Sequence, residues 1–111
     1  MKFDYSKIEP DVFPNFKGGE KNLSAKMFFD GTNRILHGSL EVGATIGMHV
    51  HETSSEIIYI LSGDGKVLID DGIEYLKAGD CHYCPKGHSH SLQNNSQSEP
   101  LVFFAVVPEY K

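Results

Sequence analysis

The 111-residue chain has no tryptophan, only two cysteines and a single arginine, Arg34, and its apolar residues never run long. Each shortage excludes something. Cys81 and Cys84 are too few for a disulfide framework, and Asp4, Glu9 and Pro10 stand where a secretory signal would carry its apolar core. The longest apolar runs, Ile57–Leu61 and Leu101–Val107, fall well short of the roughly 18 residues a membrane helix needs. Ten basic against fifteen acidic side chains leave a net charge of -5, so the positive field that a phosphate backbone demands is missing. These features predict a soluble, cytoplasmic protein that meets neither membrane nor nucleic acid. The length allows one domain, and 40% hydrophobic with 23% charged residues suits an ordinary globular core.

No helical stripe is visible. From Lys26 onward short β-type runs recur between turn signals: Met27–Phe29, Arg34–Val42, Glu56–Ser62, Lys66–Ile69, Ile73–Leu76, Cys81–Cys84, His88–Leu92 and Leu101–Val107. Asp70-Asp71-Gly72 predicts a hairpin, because Asp and Gly tolerate the positive φ of such turns. The spacing predicts an all-β sandwich or small barrel over residues 26–111. Residues 1–25 show no period and are broken by Pro10, Pro14, Gly18 and Gly19, so they predict an extended arm. Its apolar Phe3, Ile8, Val12, Phe13 and Phe16 predict packing against a second copy, hence a homodimer in which the arm covers an open strand edge.

Of six histidines, four fall in two short windows. In a strand, His49-Val50-His51 puts two imidazoles on one face, about 6.5 to 7 Å apart. Glu56 opens an apolar run, where an entering carboxylate is unfavourable unless paired or coordinated. His88-Ser89-His90 follows the turn Pro85-Lys86-Gly87, which can return a strand alongside the first pair. Three imidazoles and one carboxylate then converge.

These residues resemble the two motifs of the cupin superfamily. Gly43, His49, His51, Glu56 and Gly63 match the first motif in residue type and spacing, and Gly79, Pro85, Gly87, His90 and Asn94 match the second. With flanking strands the resemblance covers about residues 26–108. It implies a six- to eight-stranded jelly roll (a double-stranded β-helix) with a metal in its open mouth, and it carries the ligand roles onto His49, His51, Glu56 and His90. Such a donor set suits one divalent ion of Mn, Fe, Co, Ni, Cu or Zn per chain and does not choose among them. Four protein ligands in a six-coordinate site leave two positions for a small molecule.

Other residues have less decided readings. His88 reads as a support or solvent-bonded residue rather than a ligand. Cys81 and Cys84 lie three apart in a strand and point to opposite faces, which removes the redox-motif reading. His82 shares the face of Cys84, bordering the pocket or simply packing in the barrel. Arg34 reads as a solvated strand end first, and as a fork for a substrate carboxylate second. The functional expectation is a metal-binding cupin acting on a small polar or carboxylated metabolite by oxygenase, isomerase, lyase or decarboxylase chemistry. The alternative is a metal-dependent binding or sensing module without turnover.

Overall fold

Along Leu101–Pro108 the side chains of Leu101, Phe103 and Ala105 are buried while those between them are half-exposed, the period-2 pattern of a strand with one face in a core. Glu56–Ser62 shows the same alternation. The computed structural model describes residues 1–110 and assembles such strands into two antiparallel sheets facing each other. In chain order the strands are β1 (Asp11–Pro14), β2 (Asn22–Phe29), β3 (Asn33–Leu40), β4 (His49–Val50) and β5 (Glu56–Ser62), followed by β6 (Asp64–Ile69), β7 (Gly72–Lys77), β8 (Cys81–Cys84), β9 (Ser89–Asn94) and β10 (Leu101–Pro108). One sheet has the order β1-β2-β3-β10-β5-β8, the other β4-β9-β6-β7. Leu36, Leu40, Ile58, Ile60 and Phe103 from the first sheet meet Val67, Leu76 and Leu92 from the second in a single core.

This is the double-sheet jelly roll. It has ten strands because the arm adds β1 at one edge and the two-residue β4 adds another. The predicted β6–β7 hairpin forms, and Asp70 takes the positive φ, 49°. The first long strand starts earlier than the sequence reading placed it: β2 begins at Asn22, with Leu23 and Ala25 buried. The alternation Leu23, Ala25, Met27 is present in the sequence, but Asn22 and Ser24 between them read as turn formers. Register in the sheet overrides that propensity.

The arm folds onto its own barrel. β1 pairs with β2 from Asp11↔Ala25 to Pro14↔Asn22, and Phe13 and Phe16 pack against the core. Further out, the Phe3 ring lies 4.8 Å from Phe28, and Tyr5 lies 5.3 Å from His37. The backbone of residues 15–20 is stitched to residues 44–47 by Gly47 N–H donating to Phe16 O (3.0 Å) and Thr45 N–H to Glu20 O (2.9 Å). At Gly47 a Cβ would run into the Lys17 carbonyl, so this crossing needs glycine.

Candidate metal centre

His49 and His90 are direct cross-strand partners on β4 and β9 of the smaller sheet, so their side chains stand side by side. His51 lies just past β4, fixed by its N–H donating to His88 O (3.0 Å) and its carbonyl accepting from Gly87 N–H (2.6 Å). Glu56 comes from the other side of the barrel, at the start of β5 in the larger sheet. All four sequence-predicted residues therefore meet in the gap between the sheets, with ligand atoms within 4.8 Å of one another.

Three of the four donor atoms stand at the spacing of neighbouring ligands on one ion. Ligands at right angles around an ion with bonds of about 2.1 Å stand about 3 Å apart. His51 Nε2 and His90 Nε2 are separated by 3.0 Å, and they lie 3.1 and 2.9 Å from Glu56 Oε1. His49 Nε2 stands 4.0 Å from the same oxygen.

The opposite nitrogens are already engaged. His49 Nδ1 donates to Gly47 O (2.7 Å), which leaves Nε2 with a lone pair facing the cluster. His51 Nδ1 lies 2.8 Å from Ser54 Oγ, a hydroxyl able to accept its proton. His90 Nδ1 lies 3.0 Å from His82 Nε2, and His82 Nδ1 lies 2.7 Å from Glu74 Oε1. A carboxylate only accepts, so His82 carries its proton on Nδ1. Its Nε2 must then accept from His90 Nδ1–H, and His90 Nε2 is left as a lone pair. One chain of hydrogen bonds from half-exposed Glu74 through a fully buried His82 thus sets the tautomer of His90.

Electrostatics favours the ligating form of Glu56 and of His49. Burial pushes the Glu56 carboxyl up, but in the metal-free cluster, where protons rather than an ion lie between Glu56 and the Nε2 atoms of His51 and His90, hydrogen bonds and charge from those imidazoles outweigh it and bring the pKa down to about 2. Burial holds His49 and His82 below the ordinary imidazole range, only partly offset by Gly47 O and Glu74.

The open side of the cluster faces a chamber of about 520 Å³, walled by apolar Phe13, Leu36, Phe103 and Val107 and by Arg34. The inner face of β3 carries Arg34 into this chamber, so the solvated-end reading is corrected. The His88 side chain does not reach the cluster, which this residue supports only through its backbone carbonyl. It is exposed and paired with Asp70 (2.7 Å), whose carboxyl that hydrogen bond holds below the usual range. The supporting histidine is His82, which parity placed inward but nothing local tied to His90. Cys81 is exposed and Cys84 buried, on opposite faces as expected, and burial raises the Cys84 thiol to about 11. Asn94 of the second motif is structural: its amide donates to Leu40 O (3.0 Å) and Glu99 O (2.8 Å), tying β9 to the end of β3.

A cupin-domain family model matches residues 36–107, the stretch that contains all four donors. The chain belongs to the cupin family. It is 34% identical over 109 residues to an oxalate-binding protein of Thermotoga maritima, covering 92% of this chain and 88% of the relative. The crystal structure of a predicted oxalate decarboxylase from the same organism superposes with a TM-score of 0.91 at 30% identity, covering 98% of this cupin and 99% of that chain. An RmlC-like cupin from Shewanella frigidimarina superposes at 0.80 with 19% identity, over 100% and 91% of the two chains, a likeness of fold alone. Among the described residues of this cupin, no helix is long and apolar enough to cross a membrane.

Proposed function

We propose that this cupin holds one divalent transition ion on His49, His51, Glu56 and His90, and that its function is to chelate and act on a small carboxylate with two adjacent oxygens, as oxalate has. The observation that carries this reading is the convergence of three imidazole nitrogens and one carboxylate oxygen within 4.8 Å of one another, with the outward nitrogens held by Gly47 O, Ser54 Oγ and His82 Nε2. The similarity to an oxalate-binding protein supports the ligand class. Once bound, such an ion supplies Lewis acidity and a template for the ligand oxygens. The chain contributes the rest: Glu56 offsets positive charge, the hydrogen bonds on the outer nitrogens aim the three imidazoles, and the apolar walls exclude water from the ligand's carbon side.

Metal analysis on protein purified without an affinity tag tests the site. His51→Ala should abolish metal content, whereas His37→Ala, whose ring lies tilted against Tyr5 outside the barrel, should retain it. Equal loss, or no loss in either, would refute the assignment. Oxalate incubated with metal-loaded protein then separates turnover from storage or sensing: consumption that disappears in Glu56→Gln marks an enzyme, and binding without consumption marks a binding module.

A further inference from the structure

Arg34 is the only arginine in the chain, and it lines the same chamber as the donors His49, His51 and Glu56. Among the described residues no carboxylate lies within ion-pair distance of it. Its guanidinium lies 4.3 Å over the Phe29 ring, and Nη1 lies 3.1 Å from Met27 Sδ, a poor acceptor. The Phe29 ring covers one face of the guanidinium and leaves its N–H fork with only the Met27 sulfur as acceptor. A half-buried cation in this condition is poised for an anion that the chain itself does not supply.

The register says where that anion must be. Arg34 pairs with Val107 on β10, and β10 runs beside β5 with Val106 opposite Ile57, which brings Glu56 level with Val107. Arg34 and Glu56 therefore sit in one row across the sheet, two strands apart, with backbones separated by about 10 Å. Both point inward: Arg34 shares the parity of buried Leu36 and Leu40, and Glu56 that of Ile58 and Ile60. Between them the chamber offers Leu36, Phe103 and Val107 as an apolar wall. Oxalate chelated through both of its carboxylates has no further carboxylate to extend along this wall to the fork.

We propose that Arg34 is a specificity-determining residue that reads a second carboxylate, so the preferred ligand is a dicarboxylate of about four to six carbons carrying an oxygen next to the chelating carboxylate. Its carbons lie on the Leu36, Phe103 and Val107 wall. This rests on the chelation reading above, and the test separates the two.

Protein loaded with Ni2+, which imidazole donors bind tightly, is titrated calorimetrically with oxalate, 2-oxoglutarate and 2-oxopentanoate. The last two share a chain length and differ only in the far carboxylate. 2-Oxoglutarate should bind about tenfold tighter than 2-oxopentanoate, the increment of one charge-assisted hydrogen-bonded pair. Arg34→Met keeps the stem and should erase that increment while leaving oxalate affinity within about twofold and nickel content unchanged. Arg34→Lys should retain part of it and serves if the Met variant folds poorly. Equal binding of the two 2-oxo acids, or an increment that survives Arg34→Met or vanishes instead in Lys17→Ala, would overturn the role of Arg34 and leave chelation standing. Failure to bind any of the three, oxalate included, would overturn both.

Discussion

Removing His82 is the perturbation whose consequence the geometry specifies most closely. His82 is 1% exposed and is not one of the four donors, yet its Nε2 is the acceptor for His90 Nδ1–H at 3.0 Å. In His82→Ala the buried N–H of His90 loses its partner, worth about 1 to 3 kcal/mol of stability. The ring of His90 also becomes free to turn or to place its proton on Nε2, where it blocks coordination. Loss of such a supporting hydrogen bond lowers metal affinity about 10- to 100-fold, or about 1.4 to 2.8 kcal/mol. Glu74→Gln should do much less, because the amide oxygen still accepts from His82 Nδ1–H and the Glu74 side chain is 48% exposed, so the lost charge is worth under about 1 kcal/mol. His88→Ala is the control, since its ring pairs only with exposed Asp70. Competition against a chromophoric chelator gives the affinities, and melting with and without metal gives the stabilities. Wild-type affinity in His82→Ala, or an equal loss in His88→Ala, would refute the relay.

Three further outcomes follow from other parts of the molecule. Gly47→Ala should destabilise the chain by about 1 to 3 kcal/mol in urea unfolding and loosen the arm, because the new Cβ meets the Lys17 carbonyl; unchanged stability would show that the arm crossing is not fixed there. In the metal-free protein the folded pKa values of His49 and His82 lie below the free imidazole value, so the unfolded chain binds more protons and stability should rise with pH up to about 6.5 and be lost on acidification below it. A melting temperature flat from pH 5 to 7 would contradict buried neutral imidazoles. Finally, we propose a homodimer through the outer face of the larger sheet, where Ile57 and Tyr59 are 40% and 44% exposed beside Tyr83; Ile57→Lys with Tyr59→Lys should give monomer on size-exclusion chromatography, and a monomeric wild type would rule it out.

What the sequence made legible was whatever depends on spacing along one strand or across one turn. His49 and His51 two apart, Glu56 five further on and His90 after the Pro85–Gly87 turn are local patterns, and the structure gathers those four residues together. The pair that supports them is not local. Glu74 lies on β7 and His82 on β8, in different sheets, and their contact follows from how the sheets close on each other, which no periodicity reports. Arg34 illustrates a different failure: its inward parity was readable, but whether a strand end stays inside a barrel depends on the length of the neighbouring strand, and β10 continues to Pro108 alongside it. The start of β2 was missed because Asn22 and Ser24 are turn formers in isolation, and only pairing on both sides makes them strand residues.

The inventory of proton-carrying groups around the chamber bears on turnover. Glu52 at the mouth is exposed, and Glu109 accepts from Thr53 Oγ at 2.7 Å. The buried Cys84 thiol lies near 11, so it stays protonated and is a poor nucleophile at neutral pH. Glu56 and the three imidazoles are committed to the donor cluster, and His82 is committed to His90 at one nitrogen and Glu74 at the other. Beyond the donor cluster and Arg34, the titratable groups on the chamber wall are Lys17, Glu52 and Glu109, so under the proposed function a general base would come from one of these three: Lys17, Glu52 swung in from solvent, or Glu109 released from Thr53. The proposed chelation needs none of them.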